Sequence, residues 1–349
     1  MKTEIGKITG KDGPNRLIIE ADMRPLTGER IQPASFADIN HAIYDTDKCV
    51  IDSEASMANH LEAVCKNGPG LGPSSLVPEL KGLPHLVSRS VNPETGEEIV
   101  ITDSLSEGHR FASSYFVDAK MGDDSTFLAA FMNEVGSVMA ETSPGKSKKN
   151  KKTKSKSRPY LSKDAMYKVY KYVATRDPNS LVHGFVLMNE NIRLPRLLTA
   201  TLDSYGTKEA MVGGVHFDHL GKTRSGTVPF TRTDLLADSI KARFVIDLSL
   251  LRSYGNGSDG LSNDEKELVF GLALWKVFRL LSSPFRFRTR CDLVCSDMVI
   301  RDENGAEYEK TNIDMGKLLE KSGGEATVLD YPWDEWAKAA SSRSEEADE

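Results

Sequence analysis

The sequence predicts an α+β fold in which an antiparallel sheet carries two helices on one face. Three observations support this. Short apolar runs with strand character recur at wide intervals. Two segments combine a polar cap with apolar residues at helical spacing. In chain order the elements run strand, helix, strand, strand, helix, strand, with long insertions between them.

The first strand is Arg16 to Asp22, where Leu17, Ile18 and Ile19 are followed by Arg24-Pro25 and Gly28, a buried run stopped by a turn. Ser53 to Cys65 opens with the cap candidate Ser53-x-x-Ser56 and sets Met57, Leu61 and Val64 at helical intervals, which predicts the first helix. Asn67 to Pro84 is dense in Gly, Pro and Ser and reads as loop, and Asn92 to Gly96 reads as a turn between two short strands. Helices are predicted over Phe127 to Met139 and Tyr160 to Thr175, the second stopping before Asp177-Pro178. Ile192 to Tyr205 is β-rich, with Pro195 marking a bulge or an edge. Gly206 to Asp234, rich in Gly, Thr and Arg, reads as an extended hairpin or flap, and Lys241 to Leu251 as a strand. Ser262 to Ser282 is the clearest helix: Ser262-x-x-Glu265 is a capping box, and Leu268, Leu272, Trp275 and Phe278 share a face. Phe285 to Ile300 completes the set as a strand. This order is the ferredoxin-like or RRM-like arrangement, which often presents an open sheet face to single-stranded RNA.

At 349 residues, 39% hydrophobic and 28% charged, the chain can bury a substantial core, which excludes disorder as a whole-chain description. No apolar run approaches the roughly 20 residues that span a bilayer, and Met1 to Gly10 has no secretory apolar stretch. No membrane partner is expected, and the expected compartment is the cytoplasm. Cys49, Cys65, Cys291 and Cys295 form no CxxC pair, so buried free thiols are a better reading than zinc or disulfides. The net charge is −6, but Thr142 to Ser162 holds eight basic residues and no acid, which leaves −14 on the rest. An acidic body with local basic surfaces fits a polyanion bound in a defined groove.

Phe285-Arg286-Phe287-Arg288-Thr289-Arg290 is the most specific signal. A strand would put Arg286, Arg288 and Arg290 in a row on one face, at a repeat suited to phosphates; a solvated face paired with Asp292 or Asp297 is the alternative. Ser104 to Phe116 gathers His109, Arg110, Ser113, Ser114 and Tyr115, able to stack on bases and bind phosphate, or to offer His109 as a general base. His216-x-x-His219 with Asp218 invites a metal, but it lacks the helix and the Glu of a zinc protease. A polar arm carrying His216, His219, Lys222, Arg224 and Arg232 suits nucleic acid or a neighbouring subunit better. Arg193 and Arg196 are weaker signals, His183 reads as a core histidine, and the lysine tract as a mobile loop attracting phosphate without sequence preference. No Walker motif, dinucleotide fingerprint or Gly-x-Ser-x-Gly elbow occurs, so no cofactor is expected.

Six ordered blocks give the chain a family resemblance: Leu17 to Pro25, Ser56 to Cys65, Ser104 to Tyr115, Asn179 to Thr199, Gly213-Gly214-Val215 and Arg288 to Leu293. Over Leu17 to Val299 it resembles the Cas seven family of the RAMP superfamily, the backbone subunit of the CRISPR Cascade complex, in its subtype I-U (I-G) form. The departures are Gly108, where the family would have Ala, and the long lysine loop.

The resemblance implies a single domain: an RRM-like palm at about 16–66, 160–205 and 235–300, fingers at about 67–159 including the loop at 144–158, a thumb hairpin at about 206–234, and an acidic tail at 339–349. It implies a non-catalytic subunit that polymerises along a guide RNA (crRNA) and presents its bases to target DNA, with further copies of itself and other Cascade subunits as partners. The expected RNA contacts are Arg24, Ser56, Asn59, His60, His109, Arg110, Ser113, Tyr115, Arg193, Arg196, His216, Lys222, Arg224, Arg286, Arg288 and Arg290, with no catalytic or metal residue. Two alternatives stay open: a RAMP-type endoribonuclease that processes CRISPR RNA with His109, and a metal-dependent hydrolase using His216 and His219.

Overall fold

Alternation along Arg16–Pro25 divides the main sheet into a covered and an open face. Leu17, Ile19, Ala21 and Met23 are buried, while Arg16, Ile18, Glu20 and Asp22 between them are only half-buried, as a pleated strand packed on one side requires. The computed structural model describes residues 2–36, 40–68, 70–72, 75–122, 125–136, 161–219 and 225–338.

Seven strands form this sheet: Arg16–Pro25 (β1), Ile43–Tyr44 (β2), Lys48–Asp52 (β3), Leu198–Tyr205 (β4), Ser239–Asp247 (β5), Phe285–Arg288 (β6) and Cys291–Asp302 (β7). Their spatial order is β6-β7-β1-β5-β4-β3-β2, and every neighbouring pair is antiparallel. The fold is therefore mixed α/β, on an antiparallel sheet, in agreement with the α+β expectation.

Two helices anchor the covered face. Glu54–Ala63 starts where Ser53 accepts a hydrogen bond from the Ser56 amide, and it buries Met57, Ala58 and Leu61. Asn263–Leu281 starts with the expected Ser262/Glu265 capping box. It buries far more than one stripe, because helices at Lys2–Thr9, Pro178–His183 and Met315–Ser322 all pack against it. Even Lys276, on this helix, has no exposed surface.

The hairpin expected between the second and third core strands is present. Lys208–His219 pairs with Ser225–Leu236 from Lys208↔Leu236 to His219↔Ser225, and Arg30–Ile31 adds a short third strand at its root. Gly206 opens it at φ +61°, where a Cβ would fall 2.1 Å from the Asp238 carboxylate, so only glycine fits that turn.

The 67–159 insertion shares one continuous core with the rest of the chain. Leu86–Val91 and Glu98–Asp103 form the expected hairpin, and Phe111, Phe127, Phe131, Tyr172 and Phe185 pack as an aromatic cluster. Thr327–Asp330 adds a parallel strand beside Leu86–Val91 that local sequence did not signal. The lysine loop and the acidic tail lie outside the described residues.

Three strand expectations are corrected, the first being Lys241 to Leu251, where the strand ends at Asp247 and the helix Leu248–Ser253 begins. Phe285 to Ile300 is not one strand: Thr289 and Arg290 form a turn, with Arg290 at φ +63°, between β6 and β7. Ile192 to Tyr205 divides at Pro195, its first part pairing with Phe185–Leu187 and its second forming β4.

Candidate nucleic-acid interface

At the edge where β6 meets β7, the arginines do not form the expected flat row. The turn takes Arg290 off the strand, and the β6/β7 register shifts between Arg286 and Arg288. Each finds an acid. Arg286, highly exposed, donates to Asp292 at 2.8 Å, the pairing weighed as the alternative. Arg290 approaches Asp234 at 3.8 Å, and Arg30 approaches the same carboxylate at 3.9 Å. Arg288 Nη2 donates to Asp52 Oδ1 at 2.5 Å.

Asp52 is the organising residue, and it was missing from the expected contacts. It ends β3 with a side chain that has no exposed surface. Besides Arg288, Oδ1 accepts the Ser53 amide at 2.9 Å. Oδ2 accepts Ser56 Oγ at 3.1 Å and lies 2.8 Å from His60 Nε2. Phe285 and Phe287 meet the His60 ring edge-on, each at 5.3 Å between centroids. Two expected residues, Ser56 and His60, are thus gathered with Arg288 around one buried carboxylate. Arg24 is exposed on β1, whose end continues beside Asp292 through the Leu26 amide. Four arginines, Arg30, Arg286, Arg288 and Arg290, thus meet three carboxylates, Asp52, Asp234 and Asp292, with exposed Glu29 next to Arg30 in the chain.

The open sheet face is different. Arg16 pairs with Asp247 at 2.7 Å, Lys241 with Asp22 and Glu20 at 2.8 and 3.2 Å, and Arg243 with Glu20 at 2.8 Å. Arg301 lies 4.0 Å from Glu20, and the Arg243 guanidinium stacks 5.2 Å from the Tyr205 ring. Four cations meet four acids, since Asp203 also reaches Arg243 at 3.9 Å, and no excess charge is left for a phosphate.

The Ser104–Phe116 block is largely corrected. Arg110 is buried and donates twice to Glu62, at 2.7 and 2.8 Å, so it faces the core and not a ligand. Ser113 is buried because it caps the short helix Ser114–Val117. His109 points the other way: it is 84% exposed, with Glu107 3.6 Å off. Tyr115 packs against Tyr331 with ring centroids 5.3 Å apart. Asn59 and Arg193 are exposed and Arg196 half-buried, and none of them is drawn into the Asp52 cluster by a hydrogen bond. The His216 and His219 side chains, and Lys222 and Arg224, lie outside the described residues, so neither the arm nor the metal reading meets a geometry.

Arg110 belongs to a sealed network. Asn179 Nδ2 donates to Glu62 at 2.7 Å, Lys276 Nζ donates to Asn179 Oδ1, and His183 Nε2 lies 3.0 Å from Lys276 Nζ. Burial lowers the Lys276 pKa, and burial together with the neighbouring cation drives His183 well down, so His183 is neutral. Asp177 beside them accepts Ser180 Oγ at 2.5 Å, and burial pushes its carboxyl up to about 7. Burial likewise raises the thiols of Cys49 and Cys65 to about 11 and that of Cys291 to about 12, which leaves no reactive thiolate among these three.

The molecule is thus a mixed α/β protein built on a curled antiparallel sheet, with a projecting hairpin and an arginine-rich edge beside the hairpin's root. Residues 17–209, more than half of the chain, match the family model described as CRISPR-associated protein GSU0053, and the chain belongs to that family. No curated protein matches the sequence. Among solved structures it is similar to a chain titled "CRISPR RNA-guided surveillance complex, pre-nicking", at 11% identity over 88% of this chain and 87% of that one. The TM-score is 0.37, too low for the likeness to bear on fold or function. Among the described residues no helix is long and apolar enough to cross a membrane.

Proposed function

We propose that the chain is a guide-RNA-binding backbone subunit of a type I CRISPR surveillance complex, of subtype I-U (I-G), and that it does no chemistry of its own. Several copies line the crRNA, each holding sugar and phosphate while the bases stay available to a target DNA strand, and other surveillance subunits join the array. Family membership supports the CRISPR setting. The strand order β7-β1-β5-β4 supports an RRM-like palm, and the Lys208–Leu236 hairpin would serve as its thumb.

The observation that carries the reading is that four arginines share three carboxylates, Arg30 and Arg290 on Asp234 at the root of that hairpin, Arg288 on Asp52 and Arg286 on Asp292, on a chain whose net charge is negative. A concentrated cationic edge on an acidic body draws a polyanion to one line. The RNA runs along this edge and past the hairpin root, not across the neutralised open face.

Co-expression with a CRISPR array tests it. The purified particle is expected to carry RNA of array sequence, and protein that emerges free of nucleic acid would falsify the reading. Incubation with hairpin RNA should give no cleavage; cleavage abolished by His109→Ala would favour the endoribonuclease instead.

A further inference from the structure

We infer that Asp52 is a positioning residue for phosphate recognition, a carboxylate that aims Arg288 and His60 without touching the ligand. The inference rests on the RNA-binding reading above and deepens it.

The position of Asp52 is unfavourable for binding a polyanion. It is a carboxylate at the centre of the edge where phosphates are to sit, and on Coulomb grounds alone it should repel them. Its geometry explains why it is there. All its partners are donors, and they come from three separate places: the Ser53 amide at the helix start, Ser56 and His60 one and two turns further on, and Arg288 from a strand 236 residues away. A buried carboxylate satisfied by four donors fixes each of them in direction as well as in distance.

The consequence for Arg288 is specific. Its Nη2 is committed to Asp52, and its Nε is buried and finds no acceptor among the described residues. The second Nη2 hydrogen and those of Nη1 are not taken by Asp52, so a guanidinium already fixed in direction keeps donors for a ligand. His60 is held in the same way, its Nε2 toward Asp52 and Ser56 and its ring edge-on against both Phe285 and Phe287. The long stems of such side chains otherwise cost binding energy when a ligand orders them, and a preset geometry avoids that cost. The phosphodiester of a single-stranded RNA is the ligand class that one cation and one imidazole, held side by side, would take.

The test turns on sign. Asp52→Asn removes a negative charge and keeps the shape, so simple electrostatics predicts tighter binding to single-stranded poly(U). Positioning predicts weaker binding, by about tenfold, roughly the contribution of one charge-assisted hydrogen bond. The same substitution placed on an Arg288→Ala, His60→Ala background should change affinity less than twofold, because nothing is left to aim. General damage to the fold would instead lower affinity on both backgrounds. Melting temperatures are read alongside; if Asp52→Asn does not fold, Asp52→Glu, which keeps the charge but shifts the carboxylate by one methylene, replaces it with the same expected loss and the same background control. Unchanged or tighter binding by the single variant, or an equal loss on both backgrounds, overturns the inference. Failure of the parent protein to bind poly(U) at all would sink the RNA reading itself, a result distinct from either.

Discussion

One short helix serves two polar clusters with opposite fates. From Glu54–Ala63, His60 reaches the Asp52–Arg288 cluster at the sheet edge, while Glu62, two residues on, enters the sealed network of Arg110, Asn179 and Lys276. Both contain an arginine held by a carboxylate. Arg110 retains 7% of its side-chain exposure and Arg288 28%, and that difference separates a residue that holds the molecule together from one that can meet a ligand. Arginine in a polar stretch of sequence is not evidence of a binding surface until its partner is known.

The comparison is broken most severely by removing the buried arginine. Arg110→Ala leaves Glu62 charged and without its bidentate partner, and the expected loss is about 3–5 kcal/mol of stability, read by denaturant unfolding. RNA affinity per folded molecule should not change; a variant that melts normally but no longer binds RNA would reverse the roles of the two clusters.

Next in size is the pH dependence of the sealed side. The unfolded Asp177 carboxyl titrates at its ordinary 3.8 and the folded one at about 7, because burial disfavours its charge. Between those values the native state holds a proton that the unfolded state has released, so this group's contribution to stability falls as pH rises through that window. Asp177→Asn should flatten this part of the stability profile, as measured by melting temperature from pH 4 to 8. An unchanged profile would place the carboxyl in a wetter setting than the one described.

At the edge cluster the effect should appear in binding as well as in stability, since the buried Asp52 also loses its arginine. Arg288→Ala is expected to weaken binding to single-stranded RNA about tenfold and to reduce the salt slope by about one. Equal slopes for parent and variant would remove Arg288 from the interface.

The smallest effect belongs to the open sheet face. Arg243→Gln should leave RNA affinity within about twofold, since its charge is already met by Glu20. A loss comparable to that of Arg288→Ala would move the RNA path onto that face.

Much of the architecture was legible because its causes are local. The Ser262/Glu265 capping box and the turn at Asn92 to Gly96 are written within a few residues and appear as expected, while Arg16 to Asp22, read as a buried run, is a strand buried on one face only. Site residues were legible only where partners lie nearby: Ser56 and His60 share a helix with the start of their cluster. Asp52 was missed because its decisive partner, Arg288, is 236 residues on. Its one local mark is an Asp directly before the capping Ser53, with Ser56 and His60 at helical spacing after it. Arg110 was misread for the same reason, since nothing in Ser104 to Phe116 announces Glu62, 48 residues earlier. The single strand expected over Phe285 to Ile300 failed because alternating Phe and Arg looks equally regular on either side of a tight turn.

The parallel pairing of Thr327–Asp330 with Leu86–Val91 has a consequence for biosynthesis. The insertion's three-stranded sheet draws one outer member from residues made only after the main sheet has received its final strand. Until Thr327–Asp330 has been made, that flank of Leu86–Val91 presents bare amides and carbonyls to whatever is nearby. Chains that stop short of this segment should therefore be prone to stick to one another, even though every strand of the main sheet has already been made.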